Sequence, residues 1–268
     1  VFSLTLECPK SEAELISAEL WDAGARGIQE EDQPGGGCRL RAWFTCAEGL
    51  MERFFAFQPR IERERETDWE AVARQAWQPH AVGERFWLAP EWDESQVPAG
   101  RLRLTIHPGL ALGTGAHPAT QLCLMAMERH LSAGEFVLDV GTGSGILVSG
   151  ALLLGARAAG CDIEHDAVSV AKENLRVDGR AALLFTGSLR AVRAGAADVI
   201  VANINAAAHQ TLMAEYRRVA RRLLIVSGLP PRHKARVLEA AAEHGWRLVD
   251  EIEKEEWECV ALCKEEPS

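Results

Sequence analysis

Hydrophobic and polar positions follow three different rhythms along the chain. In residues 1–59 the pattern is mixed. Phe2–Glu7 alternates as a strand, without the basic flank of a signal peptide. Ser11, with Glu14 three residues on, has the form of a capping box ahead of a helix. Leu15, Ala18 and Trp21 then share a helical face, and Gly24 ends it. Two strand-like stretches, Gly27–Glu31 and Arg39–Thr45, flank a turn over Gln33–Gly37, and Glu48–Phe57 has helical character. Strand, helix, strand, strand, helix is the order of a small ferredoxin-like α+β unit. Residues 60–78 are densely charged, with Trp69, Ala73 and Trp77 on one helical face, which predicts a linking helix. Phe86–Ala89 and Leu102–Ile106, separated by a turn-rich stretch through Pro98 and Gly100, read as a hairpin.

From residue 119 strands and helices alternate. The pattern predicts a helix (Ala119–Leu131), a strand (Phe136–Val140), a helix (Ile146–Leu154), a strand (Ala158–Ile163), a helix (Asp166–Val177) and a strand (Leu183–Thr186). There follow a strand (Asp198–Ala202), a helix (Ala206–Ala220), a strand (Leu223–Ser227), a helix (His233–Glu243) and two closing strands, Trp246–Glu251 and Trp257–Cys263. Such alternation builds a parallel sheet covered on both faces. The last two strands lie too close in sequence for a parallel return, which needs a crossover of roughly a dozen residues or more, so the final strand must run antiparallel. That is the layout of the seven-stranded (class I) methyltransferase fold.

Asp139-Val-Gly141-Thr-Gly143-Ser-Gly145 sits between two apolar runs of this pattern, where a strand gives way to a helix. Bare backbone at such a turn lets a nucleotide cofactor lie against the chain. The spacing is not that of a dinucleotide fingerprint, since the sixth position from Gly141 is Ile146 and from Gly143 is Val148. An acidic residue two positions before Gly141 would oppose a pyrophosphate and suits a ligand carrying ammonium and sulfonium groups, S-adenosylmethionine. Asp162, 21 positions after Gly141, ends the next strand, where it is either an acceptor for both ribose hydroxyls or a strand-end cap. Glu164 and Asp166 read as caps of the following helix.

A second constellation is Leu112-Gly-Thr114-Gly-Ala-His117-Pro118-Ala-Thr120. Pro118 suits a first helical turn, and Thr120 either caps that helix or offers its hydroxyl and neighbouring amides to the cofactor's carboxylate. His117 stays open between a structural and a functional role, and no metal-ligand spacing surrounds it. A third is Asn203, just past the end of a strand, where ligands gather in an open parallel sheet. Its side-chain carbonyl can accept a hydrogen from an amine and aim the nitrogen lone pair at a methyl group; as a lone strand-end Asn it is equally a turn residue. It lacks the Pro-Pro-aromatic continuation of enzymes that methylate bases or glutamine amides.

Composition narrows the picture. With 47% hydrophobic and 25% charged residues, the 268-residue chain can build a full core. No apolar run approaches the roughly 20 residues that span a bilayer, so no membrane association is expected. Seven cysteines without a C-x-x-C pair suggest free thiols in a reducing cytoplasm. The net charge of −10 argues against direct nucleic-acid binding. Residues 1–59 hold 10 acidic against 5 basic side chains, while 98–268 hold 20 against 19, so the acidity lies at the front, as solvated surface or as an attraction for a basic macromolecule.

Gly113-Thr-Gly115, His117-Pro118, Thr120 and Leu122-Cys-Leu124 resemble the Gly-Thr-Gly-x-His-Pro-x-Thr signature of the bacterial methyltransferases that modify the eleventh large-subunit ribosomal protein (PrmA). The resemblance runs through Asp139–Leu147, Asp162, Val201–Ile204, Ser227-Gly228 and Glu253–Trp257, and back to Asp68–Glu70 and Gln78-Pro79. It implies S-adenosylmethionine-dependent methylation of amino groups, at lysine side chains and an N-terminus, of that ribosomal protein, and cofactor contacts at Thr120, Gly141, Asp162 and Asn203. Thr114 and Gly143 are expected to join those contacts and Asn203 to be catalytic as well, in a cytoplasmic monomer whose acidic front third meets a basic ribosomal protein. Leu112, Asn205, Ala220–Arg222 and Pro230-Pro231 depart from the family pattern. They keep an alternative open, a cofactor-binding paralogue with another protein or small-molecule substrate, or without turnover. The expected division is a substrate-recognition domain (1–59), a linker helix (60–78) and a catalytic domain (79–268).

Overall fold

The computed structural model describes residues 2–25, 27–33, 37–63, 78–107, 115 and 117–265. The chain divides between Gln75 and Ala76 into two compact units.

The first unit is a four-stranded antiparallel sheet of β1 (Phe2–Pro9), β2 (Gly27–Gln33), β3 (Gly37–Phe44) and β4 (Arg60–Arg63), in the order β2-β3-β1-β4. The helix Ala13–Asp22, a short helix Leu50–Arg53 and a 3-10 turn Phe55–Phe57 complete a ferredoxin-like βαββαβ unit. Along β3 every second residue is buried, Cys38, Leu40, Ala42 and Phe44, which packs one face of the sheet on Ile16, Leu20 and Phe54.

Several expectations are corrected here. Residues 60–63, assigned to a linking helix, form β4 and pair with β1 through Phe2↔Arg63 to Thr5↔Arg60; the remainder of that helix, with Trp69, Ala73 and Trp77, lies outside the described residues. Ser11 belongs to a 3-10 turn, and the helix starts behind Glu12, whose side chain makes no capping bond. The buried face of that helix includes Ala13, Ile16 and Leu20, while Trp21 is about half exposed.

The second unit carries two sheets. In the smaller, β5 (His80–Val82) and β6 (Phe86–Pro90) form the hairpin, and β7 (Leu102–Ile106) runs parallel to β6. The expected β6–β7 hairpin is thus wrong in direction: residues 91–101 act as a crossover.

The larger sheet comprises β8 (Phe136–Val140), β9 (Arg157–Asp162), β10 (Leu183–Thr186), β11 (Ala197–Asn203), β12 (Ala220–Leu229), β13 (Trp246–Lys254) and β14 (Trp257–Lys264), in the order β10-β9-β8-β11-β12-β14-β13. Strands β8 to β12 are parallel, and β14 is antiparallel to both neighbours, as the short final connection requires. Five helices connect and cover it: Pro118–His130, Ile146–Leu153, His165–Val177, Ala206–Val219 and Pro231–Glu243. Two apolar layers result, one including Leu122, Val137 and Val148, the other Leu138, Ile200, Met213 and Tyr216. The chain order reverses between β8 and β11, so their carboxyl ends open a crevice there. No helix of the described residues is long and apolar enough to cross a membrane.

Because Leu40 is wholly buried at the centre of the small sheet, Leu40→Ala should cost about 2–5 kcal/mol. The check is a lower denaturation midpoint for that unit, with its slope against denaturant unchanged.

Candidate functional site

At the end of β8 the backbone turns through Gly141, Gly143 and Gly145, all with positive φ (75°, 51° and 80°). Gly141 and Thr142 donate their N–H groups to the Cys161 carbonyl at 2.9 and 3.0 Å, docking the turn on β9. A Cβ on Gly141 would come within 2.5 Å of Ile204 Cγ2, so glycine is required for the close approach as well as for the conformation. Gly145 is the left-handed cap from which the helix Ile146–Leu153 starts.

Two carboxylates face this turn. Asp139 is buried, accepts from Thr142 Oγ1 at 2.8 Å through Oδ2, and leaves Oδ1 without a hydrogen bond. Burial pushes it up to about 7, with the Asp162 charge adding to the rise. Asp162, at the end of β9, accepts from the Gly143 N–H at 3.0 Å and the Glu164 N–H at 3.1 Å. It therefore ties the glycine turn to the start of the next helix, and its two oxygens retain lone pairs for further donors. Glu164 occupies the cap position of the helix His165–Val177 without a side-chain capping bond. Ile163, read from the pattern only as the end of a strand, lies just past β9 and is an apolar residue 77% exposed beside Asp162. Its signal was an apolar residue in an acidic run.

Across the crevice, Asn203 ends β11 and donates from Nδ2 to Thr120 Oγ1 at 3.0 Å. This bond joins two residues 83 positions apart. Thr120 is buried and is not a cap: His117 caps the helix Pro118–His130, its Nδ1 accepting from the Ala119 N–H. The His117 ring also meets the Trp257 ring edge-on, with centroids 4.6 Å apart, so the closing hairpin reaches the same helix end. Gln121 donates to the Gly115 carbonyl at 3.3 Å and accepts from Lys254 of that hairpin. Leu112, Gly113 and Thr114 lie outside the described residues. Among the expected residues, the structure brings Gly143 into direct contact with Asp162 and Thr120 with Asn203, while Gly141 bonds to the Cys161 carbonyl beside Asp162.

The residues present fit S-adenosylmethionine. A buried carboxylate oxygen without a donor suits a cationic group, the glycine turn leaves bare backbone, and Asp162 stands with an exposed apolar neighbour.

Behind Asn203, on the opposite face of the sheet, His209 is fully buried, with Nε2 2.8 Å from the Ser227 carbonyl and Nδ1 3.2 Å from the Tyr216 hydroxyl. Burial pushes His209 down to about 4 from its usual 6.5, with the Ser227 and Ile204 backbone opposing the shift. Above pH 6.5 neither folded nor unfolded chain holds this proton. Between pH 6.5 and about 4 the unfolded chain takes it up and the folded one refuses it, so stability falls as pH falls. The total is roughly 3 kcal/mol at about 1.4 kcal/mol per pH unit. Unfolding titrations from pH 7 to 4 should therefore fall less steeply for His209→Gln than for the parent chain.

Comparison with known proteins bears on this geometry. A model of the family described as ribosomal protein L11 methyltransferase (PrmA) matches residues 46–265. Ribosomal protein L11 methyltransferase of Geobacter sulfurreducens is 38% identical over 262 residues, covering 89% of this chain and 85% of its own. That of Geobacter metallireducens is 36% identical, covering 82% and 80%. The crystal structure of ribosomal protein L11 methylase from Lactobacillus delbrueckii subsp. bulgaricus superposes with a TM-score of 0.66 at 29% identity, covering 71% of this chain and all of that one.

Proposed function

The chain belongs to the ribosomal protein L11 methyltransferase family, and from that premise we propose that it methylates lysine side chains and the N-terminal amine of ribosomal protein L11, with Asn203 as the catalytic residue. It is an S-adenosylmethionine-dependent methyltransferase. The observation that carries the residue assignment is the Asn203–Thr120 hydrogen bond at the switch point of the sheet.

The cofactor, when bound, supplies a methyl group on a sulfonium, already a good leaving group for in-line displacement at carbon. The chain's residues have to bind, exclude water and align a neutral amine. Because Asn203 Nδ2 is spent on Thr120 Oγ1, the amide orientation is set and Oδ1 is the atom left to accept from an incoming amine. A neutral acceptor favours the neutral amine. That matters most for lysine, with an unperturbed pKa of about 10.4, and less for an α-amine near 8. Gly141 and Gly143 take the cofactor against bare backbone, Asp162 the ribose hydroxyls, and Thr120 the methionine end. We assign Thr114, in the glycine-rich sequence ahead of the helix Pro118–His130, to the same cofactor.

We assign protein recognition to residues 1–59, and the excess of acidic side chains there supports a basic protein as partner. In this reading the enzyme acts as a monomer in the cytoplasm and makes no direct contact with nucleic acid.

Incubation with labelled cofactor and purified ribosomal protein L11 tests the reading; absence of transfer to its amines refutes it. Asn203→Ala should lower turnover far more than cofactor affinity, because the lost group matters more in the transition state than in the ground state. Asn203→Asp should bind cofactor, transfer slowly, and recover partly at higher pH, since the added charge holds the amine protonated. Parental rates in both variants across pH would make Asn203 a turn residue.

For Asp162→Ala, the loss of a charged acceptor costs about 1.5–3 kcal/mol, equivalent to roughly one to two decades of cofactor affinity by calorimetry. Unchanged affinity in the folded variant would leave Asp162 only its backbone-tying role.

A further inference from the structure

We propose that His209 is a positioning residue for methyl transfer, holding the backbone on which the Asn203 amide is aimed. The inference rests on the assignment of Asn203 as the catalytic residue.

Strands β11 and β12 pair in register up to Asn203↔Ser227, but the β12–β14 ladder slips between Val226 and Leu229. At that irregularity Gly228 has φ 81°, and a Cβ there would lie 2.3 Å from the Ile204 carbonyl oxygen and 3.1 Å from Asn203 Oδ1. The Asn203–Ile204 backbone therefore rests directly on the bare Gly228. Whatever fixes Ser227-Gly228 fixes the surface against which Oδ1 sits.

Ser227 is pinned twice. Its hydroxyl donates to the Glu258 carbonyl at 3.0 Å, and its own carbonyl receives the His209 Nε2–H at 2.8 Å. The Ser227 carbonyl can only accept, which sets the neutral tautomer with its proton on Nε2, and the Tyr216 hydroxyl, 3.2 Å from Nδ1, donates to that nitrogen. Both side chains are wholly buried. The helix that carries them is itself anchored next to Asn203: Asn205 caps it by accepting from the Ala208 N–H at 2.9 Å, and the His209 N–H donates to the Asn205 carbonyl. One ring thus couples the segment after β11 to the end of β12. Thr120 holds Asn203 from the opposite face of the sheet.

A misalignment of about 1 Å at a reacting group can cost on the order of a hundredfold in rate. With His209→Leu the Ser227 carbonyl loses its donor, and we expect turnover on ribosomal protein L11 to fall about tenfold or more by the same alignment argument. Cofactor affinity, set largely by the glycine turn and Asp162 on the β8 and β9 side, should stay within about twofold, a split between binding and turnover that marks a transition-state effect. His209→Gln, which restores an N–H donor, should recover most of the turnover. Folded His209→Leu with parental turnover, beside an impaired Asn203→Ala, overturns the positioning role alone. Parental turnover in Asn203→Ala overturns the reading beneath it as well. Should His209→Leu fail to fold, Tyr216→Phe decides. It keeps the ring and removes the hydroxyl that holds Nδ1 in place, so lower turnover at unchanged cofactor affinity supports the role, and parental turnover overturns it.

Discussion

The carboxylate of Asp139 is the constraint around which the site is built. A buried carboxylate is costly unless its oxygens are answered, and here only one of them is, by Thr142. A second carboxylate, Asp162, raises the cost further. The turn between them can afford no third anion, and its backbone is bare where a ligand would lie. A ligand with fixed positive charge relieves the strain in this arrangement, whereas a pyrophosphate would increase it.

The crevice is completed by groups far apart in sequence. Asn203 comes from the end of β11, Thr120 from the helix preceding β8, and Trp257 from the closing hairpin. Three of the departures from the family pattern have local structural explanations. Asn205 is a helix cap, Pro230-Pro231 begins the helix Pro231–Glu243, and Ala220 starts β12 directly after a helix with no intervening turn. None of these three gives a reason to expect a silent paralogue.

Most of the large sheet was legible because its central strands are short apolar runs bounded by glycine or polar turns, and its helices carry a clear period. The placement of the glycine turn after β8 and of Asp162 at the end of β9 was legible because positive-φ backbone selects glycine and the strands around it are clear apolar runs. What escaped detection depends on long-range pairing. Arg60-Ile-Glu-Arg63 has a single apolar residue and passes for charged helix until β1 is there to pair with it. The direction of β7 is invisible, since a turn-rich segment serves a hairpin or a crossover alike. The Asn203–Thr120 bond has no local signature at all. His209 did leave a trace. With Ala206, Met213 and Tyr216 it lies on the buried face of its helix, and a histidine on an apolar stripe has to find polar partners.

Strand β14 follows β13 in the chain, yet it lies between β13 and β12. In the seven-stranded sheet β13 has no other neighbour, and Trp257, which meets His117, opens β14. During translation, the earlier strands can assemble while β13 waits unpaired for its successor. The contact of Trp257 with His117 therefore waits on the last pairing of the sheet, so the order in which strands are made couples completion of this helix end to the arrival of β14.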